Sequence, residues 1–99
     1  MASTVIIRWA GLPGGEATAL YDTIHDGMMD LVDSGKYPGL IFHSCSRAEH
    51  GMVIVDVWED VAAWQGLFAD PAAIAGFEAA GMPEPTSVEV LETHNIEQR

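Results

Sequence analysis

Two hydrophobic periods alternate along the chain. Thr4 to Trp9 is rich in β-branched residues and predicts a strand. Gly11, Pro13, Gly14 and Gly15 then break the pattern. From Glu16 the spacing changes. Ala17, Leu20, Tyr21, Ile24, Met28 and Leu31 recur every three or four residues, which places them on one helical face. Gly35 and Pro38 end that helix. Gly39 to Arg47 and Met52 to Trp58 read as two strands joined by a turn at Ala48-Glu49-His50-Gly51. Val61, Trp64 and Phe68 share a helical face. Asp70-Pro71 is a second helix start, with Asp as N-cap and Pro at the first helical position. Ala73, Ile74, Phe77 and Ala80 continue a short helix that stops at Gly81. Ser87 to Thr93 form the last strand, and His94 to Arg99 are a tail.

The order is β-α-β-β-α-β, with the second helical region split. It predicts an α+β, ferredoxin-like fold: a four-stranded antiparallel sheet with the helices on one face. Residues 1–99 make a single domain, as expected at this length. A sheet with one wet face should alternate apolar and polar residues. Here Ile6 lies opposite Val5, Ile7 and Trp9, and Val53, Val55 and Val57 lie opposite Met52, Ile54 and Trp58. Leu40 and Phe42 are expected opposite Ile41, His43 and Cys45. Both faces are therefore oily, and a homodimer packed sheet to sheet would cover the outer one. The alternatives are scattered surface hydrophobes or a terminal segment lying over them.

Composition narrows the partners. Hydrophobic residues make up 48% and charged residues 19%, as in a folded domain. The net charge of −11 opposes phosphate backbones and anionic lipid, so nucleic-acid and membrane roles are not expected. The field does not oppose a neutral hydrophobic or aromatic small molecule. Cys45 is the single cysteine, and the N-terminus shows no basic region followed by an apolar run. A cytoplasmic location is expected.

Several residues together carry a family resemblance. They are Pro38-Gly39-Leu40, His43, Gly51, Val55-Asp56-Val57-Trp58-Glu59, Trp64, Phe68, Pro83 and His94-Asn95. Over nearly its whole length the chain resembles dimeric α/β-barrel proteins, and more narrowly the antibiotic-biosynthesis-monooxygenase-like (ABM) group. The resemblance implies two ferredoxin-like subunits sharing a barrel, each with a pocket between sheet and helices. Some relatives oxidise polycyclic phenols to quinones with oxygen and no bound cofactor. Others degrade haem or cyclise polyketides. Two departures stand out. Phenol-oxidising relatives carry Asn four residues before the strand-three Trp, where this chain has Ile54. Haem-degrading relatives carry an Ala-His pair in the second helical region, where this chain has no histidine.

Against that background the candidate site residues are few. His43, mid-strand among apolar residues, is the candidate general base, since imidazole titrates near neutrality; a satisfied buried histidine is the alternative. Trp58 could stack on a planar ligand or remain a core tryptophan. Tyr21 and His25, four apart on the first helix, could reach the same cleft or shield the core edge. Tyr37 is a further lining candidate, and His94 a rim residue on the resemblance. His43 and Cys45 share a face, but two ligands make a weak metal site, and no metal or cofactor is expected. The acidic residues do not suggest carboxylate chemistry. The expected function is a cofactor-independent monooxygenase acting on a planar phenol. A non-catalytic ligand-binding dimer and a cyclase or isomerase stand as alternatives.

Overall fold

A computed structural model describes residues 1–99. The elements run β1 (Ser3–Ala10), α1 (Gly14–Asp33), β2 (Leu40–Ala48), β3 (Gly51–Trp58), α2 (Val61–Ala69), α3 (Pro71–Ala80) and β4 (Ser87–Glu92). The four strands form one antiparallel sheet in the order β2-β3-β1-β4. This is the expected ferredoxin-like α+β arrangement, with the second helical region divided at Asp70.

The split has a local cause. Asp60 caps α2 by accepting from the Ala62 N–H at 2.9 Å. Asp70 ends that helix in extended geometry and caps α3 through the Ala72 N–H at 2.8 Å. Pro71 has no N–H to join the ladder of α2, so the chain must restart there. Gly81 closes α3 in the left-handed region, at φ 73°.

Burial follows strand alternation. Val5, Ile7 and Trp9 on β1, and Met52, Ile54 and Trp58 on β3, face the helices and are 0–6% exposed. They pack with Ala17 of α1 and Leu67 of α2 to form the core. Burying such side chains contributes roughly 1.5–3 kcal/mol each. One β3 residue on the core face is charged: Asp56, 4% exposed.

The outer face corrects two expectations in part. The pairing of β2 with β3 slips between Leu40 and Phe42. The extra residue, Ile41, is bulged, so Leu40 sits opposite Trp58 on the helix-facing side and Phe42 opposite Val57 on the outer side. Leu40 and Phe42 therefore do not share a face. The outer side still presents Ile6, Phe42, Val53, Val55, Val57 and Leu91. The C-terminal tail covers one end of it. The Thr93 and Thr4 hydroxyls lie 2.7 Å apart, and the Gln98 side chain donates to the Ile41 carbonyl at 3.0 Å. The tail thus runs from the β4 edge to the β2 edge, and Val57 is only 5% exposed. Phe42 (38%) and Leu91 (46%) stay open.

Two glycines fix the hairpin against its neighbours. Gly51, at φ 123°, lies so close to β1 that an added Cβ would fall 1.7 Å from the Trp9 carbonyl oxygen. Gly14 brings the start of α1 onto the same hairpin end, donating its N–H to the Glu49 carbonyl at 3.1 Å. Gly51→Ala is expected to destabilise the fold by more than about 1 kcal/mol, through strain and the clash together. Urea unfolding at neutral pH measures this, and an unchanged midpoint would contradict the packing described.

Candidate functional site

The hairpin turn decides the site. The two residues Glu49 and His50 connect β2 to β3, and counting back from that turn pairs His43 with Asp56 across the strands. Both side chains point toward the helices. The His43 Nδ1 lies 2.6 Å from Asp56 Oδ1. The Trp58 indole N–H donates to the other carboxylate oxygen at 3.3 Å. From α1, the Tyr21 hydroxyl reaches His43 Nε2 at 2.6 Å, with the two rings nearly parallel at an interplanar angle of 13°. The result is a chain of four polar side chains, Tyr21–His43–Asp56–Trp58, within an apolar surround.

Hydrogen-bond matching assigns the protons. The Asp56 carboxylate can only accept, so the Nδ1 of His43 carries the hydrogen. In the neutral imidazole Nε2 then carries the lone pair and accepts from the Tyr21 hydroxyl. Burial pushes the Tyr21 phenol above its usual value, and the nearby Cys45, Asp56 and Asp22 add to the effect. The phenol therefore stays protonated and donating. A neutral imidazole with an oriented, free-ended nitrogen is the chemical requirement for a general base.

His43 forms part of a cavity wall. Tyr21, Ile24, His25 and Met28 of α1 contribute, with Leu40 of β2, Ile54 and Asp56 of β3, and Leu67, Phe68 and Phe77 of α2 and α3. The cavity has a volume of about 50 Å³, room for a few water molecules. Ile54, standing where the resemblance leads one to expect Asn, is an apolar part of this wall. The polar work falls to His43 and Asp56 instead.

The other candidates lie as follows. Tyr21 and His25 reach the cavity, with rings 5.5 Å apart. The His25 Nδ1 also contacts Asp26 at 3.0 Å. Trp58 is 0% exposed, outside the cavity lining, and donates its indole N–H to Asp56, an arrangement that matches the alternative of a core tryptophan. His94 is exposed in the tail, away from the cavity lining. Tyr37 also stands outside the lining. Its hydroxyl donates to Asp70, which in turn takes the Lys36 ammonium at 3.3 Å. Asp56 is the residue that sequence reasoning missed. A carboxylate on the core face of an otherwise apolar strand, in register with a histidine, was the available signal.

No protein-family profile matches this chain, and no curated protein sequence does either. Solved structures do match. SnoaB, a cofactor-independent oxygenase from Streptomyces nogalater, is 15% identical over 96% of this chain and 94% of its own, with a TM-score of 0.66. Rv0793 from Mycobacterium tuberculosis is 16% identical over 99% and 100%, with a TM-score of 0.64. A Caulobacter crescentus protein provisionally described as an antibiotic biosynthesis monooxygenase is 15% identical over 95% and 91%, with a TM-score of 0.69. The fold is that of ABM-like structures, as the sequence resemblance implied. Identity this low carries the fold and not the activity.

The Tyr37–Asp70 contact ties the loop before β2 to the joint between α2 and α3. Tyr37's hydrogen bond, with the Ala72 N–H, holds the Asp70 carboxyl below the ordinary carboxylate range. A carboxyl held low adds stability that is present above its unfolded pKa of about 3.9 and is lost as pH falls through the lower folded value. Tyr37→Phe should therefore cost most near neutrality, and the gap to wild type should narrow as the pH drops below about 4. Urea midpoints at neutral and acid pH check this. A constant gap would mean that Asp70 is not the partner that matters.

Proposed function

We propose that this protein is a cofactor-independent oxygenase of planar phenols, with His43 as the base. The observation that carries the reading is the position of His43 at the cavity wall, with Nδ1 2.6 Å from Asp56 and Nε2 turned to Tyr21. An acidic substrate hydroxyl takes the place of the Tyr21 hydroxyl at Nε2 and gives up its proton. The Tyr21 O–H then donates to the anion that forms. Asp56 is a positioning residue: it fixes the tautomer and balances the charge on the imidazolium. The electron-rich anion passes an electron to oxygen, and the resulting pair combines at the activated carbon. That carbon loses its one hydrogen and keeps one oxygen atom, and the second oxygen leaves as water with that hydrogen and the proton taken from the hydroxyl. The apolar wall keeps bulk water from quenching the anion.

Oxygen uptake with anthrone, whose enol tautomer is a planar three-ring phenol, tests the reading. The wild type should exceed the buffer rate, and His43→Ala should lose about 10²–10⁴-fold in kcat/KM. Asp56→Asn, which keeps shape but can offer Nδ1 the wrong hydrogen-bond partner, should lower kcat more than it raises KM and move the acid limb of the pH profile. Equal rates for wild type and His43→Ala would overturn the assignment. Turnover of a related substrate without oxygen would point instead to a cyclase or isomerase in the same cavity.

A second reading has its own observation. Ile54 removes a polar contact from the wall and the cavity is small, which suits an accessory protein that holds a ligand without turning it over. A molecule retained through purification and seen by native mass spectrometry, with no oxygen uptake, would favour it.

We further propose that the working unit is a homodimer packed through the outer sheet face. Ile6, Val53 and Val55 remain only half-buried there, and Phe42 and Leu91 are exposed. The face carries one paired ion, Arg8 with Glu89 at 2.6 Å. The acidic residues of α1 lie on the opposite side of the subunit, so pairing through the sheet keeps the like charges apart. Sedimentation at micromolar concentration should give twice the 10.6 kDa chain mass. Val55→Asp should give the single chain. A wild-type monomer would remove the proposal.

A further inference from the structure

Three separate spaces in this molecule meet at one side chain. The His43 cavity holds about 50 Å³. A groove of about 260 Å³ lies between α1 and α3, bordered by Ile24, Gly27, Met28, Ala73 and Gly76. A recess of about 230 Å³ lies between Trp9, Trp64, Met82, Pro83 and Val88. Phe77 is the residue common to all three walls.

Helix α3 is built so that this ring stands alone. Its inward stripe is Ala73, Phe77 and Ala80, and Ile74 points out at 44% exposure. Gly76 on α3 and Gly27 on the facing part of α1 have open space where a Cβ would go. The Phe77 ring rests on Phe68, with centroids 5.6 Å apart, and borders all three spaces. In a close-packed interior a ring has no alternative rotamer without displacing neighbours. Here the neighbouring groove can receive it.

We propose that Phe77 is the size gate of the His43 site. With its ring turned into the groove between α1 and α3, the cavity and the recess beneath Pro83 join into one apolar slot. That slot accepts a ligand of three fused rings, laid along the sheet with its hydroxyl at His43. With the ring inward, only the few-water cavity remains. The inference deepens the proposed oxygenase reading, since it names the residue that selects ligand size at that site. It also explains how so small a cavity could serve a planar substrate: the apparent affinity is reduced by the fraction of molecules with the gate open.

Equilibrium binding without oxygen tests this apart from chemistry. The probes are anthrone, with three rings and a hydroxyl in its enol form, and p-cresol, with one ring, followed by calorimetry. Phe77→Ala should raise the anthrone-to-cresol affinity ratio about ten-fold or more over wild type, and Phe77→Trp should lower it. Phe77→Leu, which keeps an apolar filler should Ala unsettle the helix, should fall between wild type and Ala. His43→Ala should leave the ratio unchanged. A ratio that stays within two-fold across Phe77 variants of native circular dichroism overturns the gate, and so does the absence of binding to every variant. If the ratio moves while no protein consumes oxygen, the gate stands and the oxygenase reading falls. If His43-dependent turnover occurs with a fixed ratio, the reverse holds.

Discussion

A buried carboxylate is the constraint around which this small domain is arranged. Asp56 sits on the core face of β3, among side chains whose burial stabilises the fold. Left alone, an ionised carboxylate there would cost several kcal/mol. It is retained because two donors converge on it, His43 from the neighbouring strand and Trp58 from two residues along its own strand. Removing either donor leaves a charge unmatched. The arrangement therefore fixes the tilt of the imidazole as firmly as it satisfies the carboxylate. The base is preorganised by the same contacts that make the core tolerable.

That constraint reaches α1. The free nitrogen of His43 needs a donor when no ligand is present, and Tyr21 supplies it. The helix is brought within reach by Gly14, whose missing side chain lets the first turn sit against the end of the β2–β3 hairpin. Hairpin register, helix approach and side-chain chemistry are thus linked. A slip of one residue in the hairpin would turn His43 to the outer face and leave Asp56 without its partner.

Much of this could be read in the sequence, and the part that could not has physical reasons. The element order, the break at Asp70-Pro71 and the stop at Gly81 follow from local chemistry that needs no tertiary context. The apolar outer face was also legible, although the tail's course across it was not, since nothing in residues 93–99 announces a destination. Trp58 stayed open between two readings because aromatic type alone does not separate a core ring from a pocket ring. Asp56 is hard to single out because fifteen acidic residues are spread along a strongly acidic chain, where a carboxylate is by default a surface group. Yet strand alternation placed it with Ile54 and Trp58, and the turn at Glu49-His50 set its register opposite His43. The bulge at Ile41 was beyond reach: only the pairing itself shows that Leu40 joins the cavity wall while Phe42 leaves it.

The small cavity and the Ala- and Gly-rich α3 belong to one argument about stability. A domain of this size has little core to spare, and a permanently open slot for a large ligand would cost both dispersion contacts and burial. Filling the space with a side chain from a helix that is otherwise small on its inner stripe keeps the unliganded state packed. The joint at Asp70 holds the start of that helix through Tyr37 and Lys36. On this view the paucity of large side chains in α3 is not weak packing. It leaves one large ring, Phe77, between the base and the neighbouring spaces, and under the proposed gate a ligand's price of admission is a rotamer change and not a partial unfolding.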